Sequence, residues 1–264
     1  MMRPGWLQIG GRRLETAWWG KPPDAAPTIV LLHEGLGCVA MWRGFPARLA
    51  EATGCGVFAW SRAGYGASDP VTLPRPLTYM QDEAADCVRP VLDAAGIGDC
   101  VLLGHSDGGS IAALYAGTHH DPRLRGVALL APHFFVEDIA IAGIEAARER
   151  YLHGDLRARL ARYHSDVDGA FWGWNGAWLN PAFRAWNIAA ACAGIRVPTL
   201  IVQGLADPYG TAAQVGAAQA VAGERVRPLV LDGVGHAPHL EAADATLNAV
   251  AALVAEQLHR PGAS

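Results

Sequence analysis

The sequence predicts an α/β fold: a mostly parallel central sheet, helices on its faces, and one helical insertion acting as a cap. Three observations carry this. Short continuous apolar runs alternate with stretches of helical spacing, the pattern of strands buried on both faces. Glycine-bearing loops follow the carboxyl ends of several runs, where open α/β sheets bind ligands. The strand rhythm lapses after Pro132 and resumes near residue 198.

Each element has its reason. Trp6 to Ile9 and Arg13 to Trp19 read as strands joined by Gly10-Gly11, a hairpin signal. Lys21 to Pro27 is a proline-rich loop, and Thr28 to Leu32 is an apolar, β-branched run suited to a central strand. A glycine loop at His33 to Cys38 precedes a helical stretch, Met41 to Thr53. Gly56 to Trp60 is a strand, Ser61 to Pro76 a long loop, and Leu77 to Ala95 a helix kinked by Pro90. Cys100 to Leu103 is a strand, Ser110 to Gly117 a helix of small residues, and Gly126 to Ala131 a strand. His133 to Ala191 has helical patterns and an aromatic cluster but no buried strand run. Pro198 to Gln203 and Val226 to Leu231 then read as strands, and Thr211 to Ala222 and Ala242 to His259 as helices. Residues 1–132 and 191–264 are therefore expected to form the core, and 133–190 a helical cap.

Composition narrows the class. The 264 residues are 51% hydrophobic and 17% charged, a globular balance with a sizeable core. A net charge of −4 without a basic block argues against a nucleic-acid partner. Met1 to Gly10 lacks the apolar core of a signal peptide, and no apolar run reaches spanning length, so no membrane association is expected. The 5 dispersed cysteines suggest reduced thiols and a cytoplasmic location. The partner expected is a small molecule, with the chain a monomer or homodimer.

The chemistry centres on Gly104-His105-Ser106-Asp107-Gly108-Gly109, a serine between glycines at a strand-to-helix corner. That is the pattern of a nucleophile elbow, where a sharp turn presents a hydroxyl to a base. Two later strands end in Gly204-Leu205-Ala206-Asp207 and Asp232-Gly233-Val234-Gly235-His236. Asp207 and His236 thus fall on the same sheet edge as Ser106, in the chain order Ser, Asp, His. His236 would take and return the serine proton, and Asp207 would fix the imidazole tautomer. Acyl transfer also needs preorganised N–H donors. These are expected from Asp107, after the nucleophile, and from Gly35, with Leu36 next, in the loop after Thr28 to Leu32.

Together these segments, with Ser61-Arg62-Ala63-Gly64-Tyr65-Gly66-Ala67-Ser68-Asp69, resemble the α/β-hydrolase fold superfamily in its capped subset. The resemblance spans most of the chain. It implies cofactor-free hydrolysis through an acyl-enzyme or related intermediate. Two positions depart from the pattern: many relatives have Gly where this chain has Glu34, and an apolar residue where it has Asp107. A carboxylate facing an oxyanion opposes its charge. The ordinary readings are a salt bridge from Glu34 to Arg62 and stabilisation of Asp107 at a helix N-terminus. The sharper reading makes Glu34 a selective substrate contact.

The cap is expected to set specificity. Trp172, Trp174, Trp178 and Trp186 are candidates to line an apolar pocket, with Arg184 as a polar anchor and His33 and His105 as further pocket contacts. Arg157, Arg159 and Arg162 read as a solvated helix face. The function expected is hydrolysis of an ester or related acyl bond in a small apolar or aromatic substrate. One alternative is carbon–carbon bond hydrolysis of a ring-cleavage dienoate. Capped enzymes of that kind typically carry Trp after the histidine, whereas Ala237 stands here. A second is an NADP-dependent reductase, since Gly35-Leu36-Gly37-Cys38-Val39-Ala40 satisfies the dinucleotide fingerprint. It would leave Ser106, Asp207 and His236 unexplained. No metal site is expected: Pro238 interrupts the pair His236 and His239, and a third ligand is lacking.

Overall fold

The computed structural model describes residues 1–258. Eight strands form one sheet: β1 (Arg3–Ile9), β2 (Arg12–Gly20), β3 (Thr28–Leu32), β4 (Gly56–Trp60), β5 (Cys100–His105), β6 (Leu124–Leu130), β7 (Thr199–Gly204) and β8 (Val226–Leu231). Their spatial order is β1-β2-β4-β3-β5-β6-β7-β8. β1 and β2 pair antiparallel with their neighbours, and all other pairs are parallel.

The helices are α1 (Phe45–Thr53), α2 (Tyr79–Asp86), α3 (Val88–Ala94), α4 (Asp107–Thr118), α5 (Asp138–His153), α6 (Leu156–Leu160), α7 (Val167–Trp178), α8 (Ala213–Ala222), α9 (Pro238–Glu241) and α10 (Ala243–Leu258). Strand residues alternate between the two faces with period two. Val30, Leu32, Leu102 and Leu129 meet α2, α3, α4 and α8 in one core. Ile29, Leu31, Val101, Leu103 and Leu130 meet α1 and α10 in the other. The central strands are buried along their length, which is why they read as continuous apolar runs.

The order reverses between β3 and β5: β4 lies on one side of β3, and later strands on the other. The loops after β3 and β5 therefore splay apart, and the crevice between them is the binding position of an open α/β sheet. Between β6 and β7 come only helices: α5, α6, α7 and the 3₁₀ turns Pro181–Ala185 and Ala189–Gly194.

Two expected helices differ. Met41 to Thr53 divides into a 3₁₀ turn, Val39–Trp42, and α1, because Arg43 at φ 53° and Gly44 break the path. Leu77 to Ala95 divides at Cys87, and Pro90 sits in the first turn of α3, where a missing N–H costs nothing. The expected end of the last helix, His259, lies outside the described residues.

Candidate active site

The corner between β5 and α4 is built on close backbone contact. A Cβ on Gly104 would lie 2.1 Å from the Gly108 carbonyl oxygen, and one on Gly108 would lie 2.1 Å from that of Leu32. Only glycine lets the strand, the turn and β3 approach this closely. Ser106 between them has φ 53° and ψ −120°, a strained backbone for a residue with a Cβ. Its N–H is tied to the Leu130 carbonyl at 2.9 Å.

Two loops bring partners to that hydroxyl. Ser106 Oγ lies 2.9 Å from His236 Nε2, and His236 Nδ1 lies 2.8 Å and 2.9 Å from the Asp207 carboxylate oxygens. The carboxylate also accepts from the Tyr209 amide at 2.8 Å and from Gln203 Nε2 at 3.0 Å. Burial alone would raise the Asp207 pKa, but the histidine and these donors outweigh it and hold the carboxyl below its usual range. An ionised Asp207 keeps the proton on Nδ1, leaving Nε2 free to accept from Ser106.

The N–H groups of Gly35, Leu36 and Asp107 make no hydrogen bond to other described residues, and all three residues line the cavity beside Ser106. That cavity, ≈ 120 Å³, is walled by Ala140, Ile144, Trp174, Trp178 and Tyr209, with His133 next to His236. A Cβ on Gly35 would lie 2.3 Å from the Trp174 indole, so the close approach of this loop and α7 requires glycine there. His133 is buried with its ring edge-on to Trp178; burial, then the neighbouring His236, bring its pKa down to about 3, so it is neutral.

The two unusual carboxyls have defined surroundings. Glu34 does not bridge to Arg62 through its carboxylate: Arg62 Nη2 donates to the Glu34 main-chain oxygen at 2.9 Å. The carboxylate instead stands 3.4 Å from His105 Nδ1, and His105 Nε2 donates to the His236 carbonyl at 2.7 Å. Burial opposes charge on both members of this pair, and their mutual attraction overrides it: the Glu34 pKa falls and the His105 pKa rises. Asp107 is fully buried and accepts from the Tyr79 hydroxyl at 2.5 Å, with Trp178 Nε1 in turn donating to that hydroxyl at 3.1 Å. Burial prevails there and raises its pKa, against the lowering expected at a helix N-terminus.

Of the expected cap contacts, Trp174 and Trp178 line the cavity and the others do not. Trp172 packs edge-on against Tyr151 and Phe171. Trp186 stacks on Phe183. Arg184 is exposed and paired with Asp138 at the start of α5, so it does not reach the cavity. His33 is wholly buried, accepting from the Arg62 amide at 3.0 Å, and supports the loop from behind. His105 likewise backs His236 outside the cavity. His133, Ala140, Ile144 and Tyr209 were not singled out by sequence. His133 follows the carboxyl end of β6, a position the strand-end rule could have marked. The alanine, isoleucine and tyrosine carry no such signal.

The fingerprint Gly35-Leu36-Gly37 opens into a four-residue 3₁₀ turn, not an α-helix, and the space beside Gly37 holds the Glu34 carboxylate. A pyrophosphate would meet a negative charge there and no helix N-terminus. Among the described residues no cluster of three or more His, Cys, Asp or Glu is arranged to hold a metal ion, and no helix is long and apolar enough to cross a membrane.

A parallel sheet with a serine, an imidazole and a carboxylate joined at its carboxyl edge defines a class of hydrolase-like α/β proteins. Residues 29–249 match the alpha/beta hydrolase family, and the chain belongs to it. The alpha/beta hydrolase domain-containing protein WAV2 of Arabidopsis thaliana is 26% identical over 208 residues, 76% of this chain. The matched stretch is 60% of that protein's length. Among solved structures, VinJ is similar over 97% of this chain and 99% of its own, with TM-score 0.76 and 23% identity. The enol-lactonase from Burkholderia xenovorans LB400 is similar over 95% and 99%, with TM-score 0.71 and 22% identity. At such identities the likeness is one of fold.

Proposed function

We propose that the chain is a cofactor-free serine hydrolase that cleaves an ester or related acyl bond of a small, largely apolar substrate. The observation that carries this is the continuous chain of contacts from Ser106 Oγ through His236 to Asp207, at 2.9 Å and 2.8 Å. Ser106 attacks the carbonyl carbon while its proton passes to His236 Nε2. The oxygen of the tetrahedral intermediate gathers negative charge beside the N–H groups of Asp107 and of Gly35 or Leu36. The intermediate collapses as His236 gives the proton to the leaving group, and water repeats the sequence on the acyl-enzyme. Residues 133–190 act in this reading as the lid whose Ile144, Trp174 and Trp178 exclude water from the acyl group.

The cavity supports a short acyl group, since ≈ 120 Å³ is small for an enzyme pocket. Its carboxyl-bearing side chains, Glu34 and Asp107, and its lack of Lys or Arg disfavour a dienoate whose carboxylate lies next to the scissile bond. The test is labelling by a fluorophosphonate and turnover of p-nitrophenyl acetate. Ser106→Ala should abolish labelling and lower kcat by roughly a thousandfold or more with the fold intact. Unaltered turnover in that variant would refute the assignment.

A further inference from the structure

A second cavity lies on the far side of Glu34. It is a cleft of ≈ 200 Å³, floored by His105 and His239, and Arg43, Arg159 and Arg162 line it. The arginines come from two parts of the chain. Arg43 follows the 3₁₀ turn before α1, Arg159 belongs to α6, and Arg162 lies in the turn beyond it.

Their pairing is loose. Arg48, Arg125, Arg157, Arg184 and Arg227 each meet a carboxylate directly. Around the cleft, the carboxylate partner of Arg159 is Asp155, at 3.9 Å, and Arg162 reaches the Arg159 carbonyl at 3.5 Å. Arg43 has no carboxylate within ion-pair distance among the described residues, yet its backbone is held at φ 53°, where glycine is the ordinary occupant. Glu34, the acid at the cleft wall, is already committed to His105. His239 is neutral, its pKa brought down by burial to about 3. The three arginines are exposed at the cleft's edge, and an anion held there gains charge-assisted hydrogen bonds from more than one of them. In a chain of net charge −4, three arginines against one acidic lining residue, Glu34, make this cleft locally basic.

We propose that this cleft binds an anionic group, a phosphate or a carboxylate, carried on the leaving arm of the substrate. The inference rests on the assignment of Ser106 as nucleophile. Glu34 lines both cavities, and the acyl side of the first is closed by Ile144, Trp174 and Trp178. The leaving arm passes over Glu34, and its charged end meets Arg43, Arg159 and Arg162.

The experiment uses butyrate esters of ethylene, butylene and hexylene glycol whose far end is a hydroxyl, a carboxylate or a phosphate. For the arm length that spans the two cavities, kcat/KM should be about tenfold or more higher with a charged end than with the hydroxyl. The arm that gains more, phosphate or carboxylate, identifies the anion. Arg43→Gly, which suits the local backbone, and the pair Arg159→Gln with Arg162→Gln should remove the gain through KM. Both should leave p-nitrophenyl acetate turnover within about twofold. Calorimetry on Ser106→Ala with the phosphorylated and plain glycols reads the cleft without chemistry. Equal rates for charged and neutral arms of every length, or equal binding of the two glycols, would overturn the proposal. Failure of p-nitrophenyl acetate turnover and of fluorophosphonate labelling would instead strike the nucleophile assignment, and the calorimetric comparison would still decide the cleft.

Discussion

Ser106 holds a backbone conformation that glycine tolerates and a side chain resists. Such strain costs on the order of 1–3 kcal/mol. Ser106→Gly should therefore unfold at higher urea than Ser106→Ala, by about 1 kcal/mol after the added chain entropy of glycine is subtracted. Both should be inactive. Equal midpoints would remove the strain argument. At the same scale, the buried His105 and the half-buried Glu34 form an ion pair behind the histidine loop. The His105 pKa is raised, so on the alkaline side the stability this pair contributes is complete at the ordinary histidine value of ~6.5 and is lost as pH rises through the shifted one; the lowered Glu34 pKa sets its loss in acid. Glu34→Gln should flatten the decline of Tm with pH above neutrality, since the partner that raises His105 is gone. It should also shift the alkaline side of the pH–rate profile if the pair positions His236. An unchanged Tm slope would mean that His105 does not titrate against Glu34.

At the scale of elements, the corner between β5 and α4 depends on glycines rather than on burial alone. Gly104→Ala and Gly108→Ala each drive a Cβ to 2.1 Å from backbone oxygen, which no rotamer relieves. Each should cost about 3 kcal/mol or more by urea denaturation and lower activity in whatever fraction folds. The link from α4 to β6 has a different anchor. The buried Asp121 carboxylate takes the Arg123 guanidinium at 2.7 Å and the Tyr115 hydroxyl at 2.6 Å. Burial opposes its charge, but these bonds prevail and lower its pKa. Its contribution is thus present above the unfolded carboxylate value of ~3.9 and is lost as pH falls through the lowered one. Asp121→Ala should destabilise by about 3 kcal/mol at pH 7 and by progressively less in acid. A constant difference across pH would show the loss to be packing alone.

The whole molecule buries four of its five thiols, with Cys87 half-buried. Burial raises Cys38, Cys100 and Cys192 to about 12, and all three are shut away from solvent. At pH 8 their thiolate fraction is on the order of 1 in 10,000, far below that of a free cysteine. Reaction of these three with a thiol reagent should therefore track global unfolding and accelerate together in denaturant. Fast modification of any of them in the native protein would contradict the packing described.

The sequence by itself determined the alternation of strands and helices, because parallel strands buried on both faces must be apolar throughout. It also marked the corners carrying Ser106, Asp207 and His236, because strand ends and glycine turns are local properties. The division at Cys87 and the strained Arg43 were hidden, since propensity does not reveal where packing interrupts a helix. Only the tertiary structure decided which aromatics between β6 and β7 face Ser106. Trp174 and Trp178 differ from Trp172 by how α7 is rotated against the loop at Gly35, not by residue type. Only it decided that Glu34 pairs with His105 and leaves Arg62 on a carbonyl, or that Arg43 meets Arg159 and Arg162 at one cleft. Charge pairing depends on distances between segments far apart in the chain, and spacing along the chain does not encode those distances.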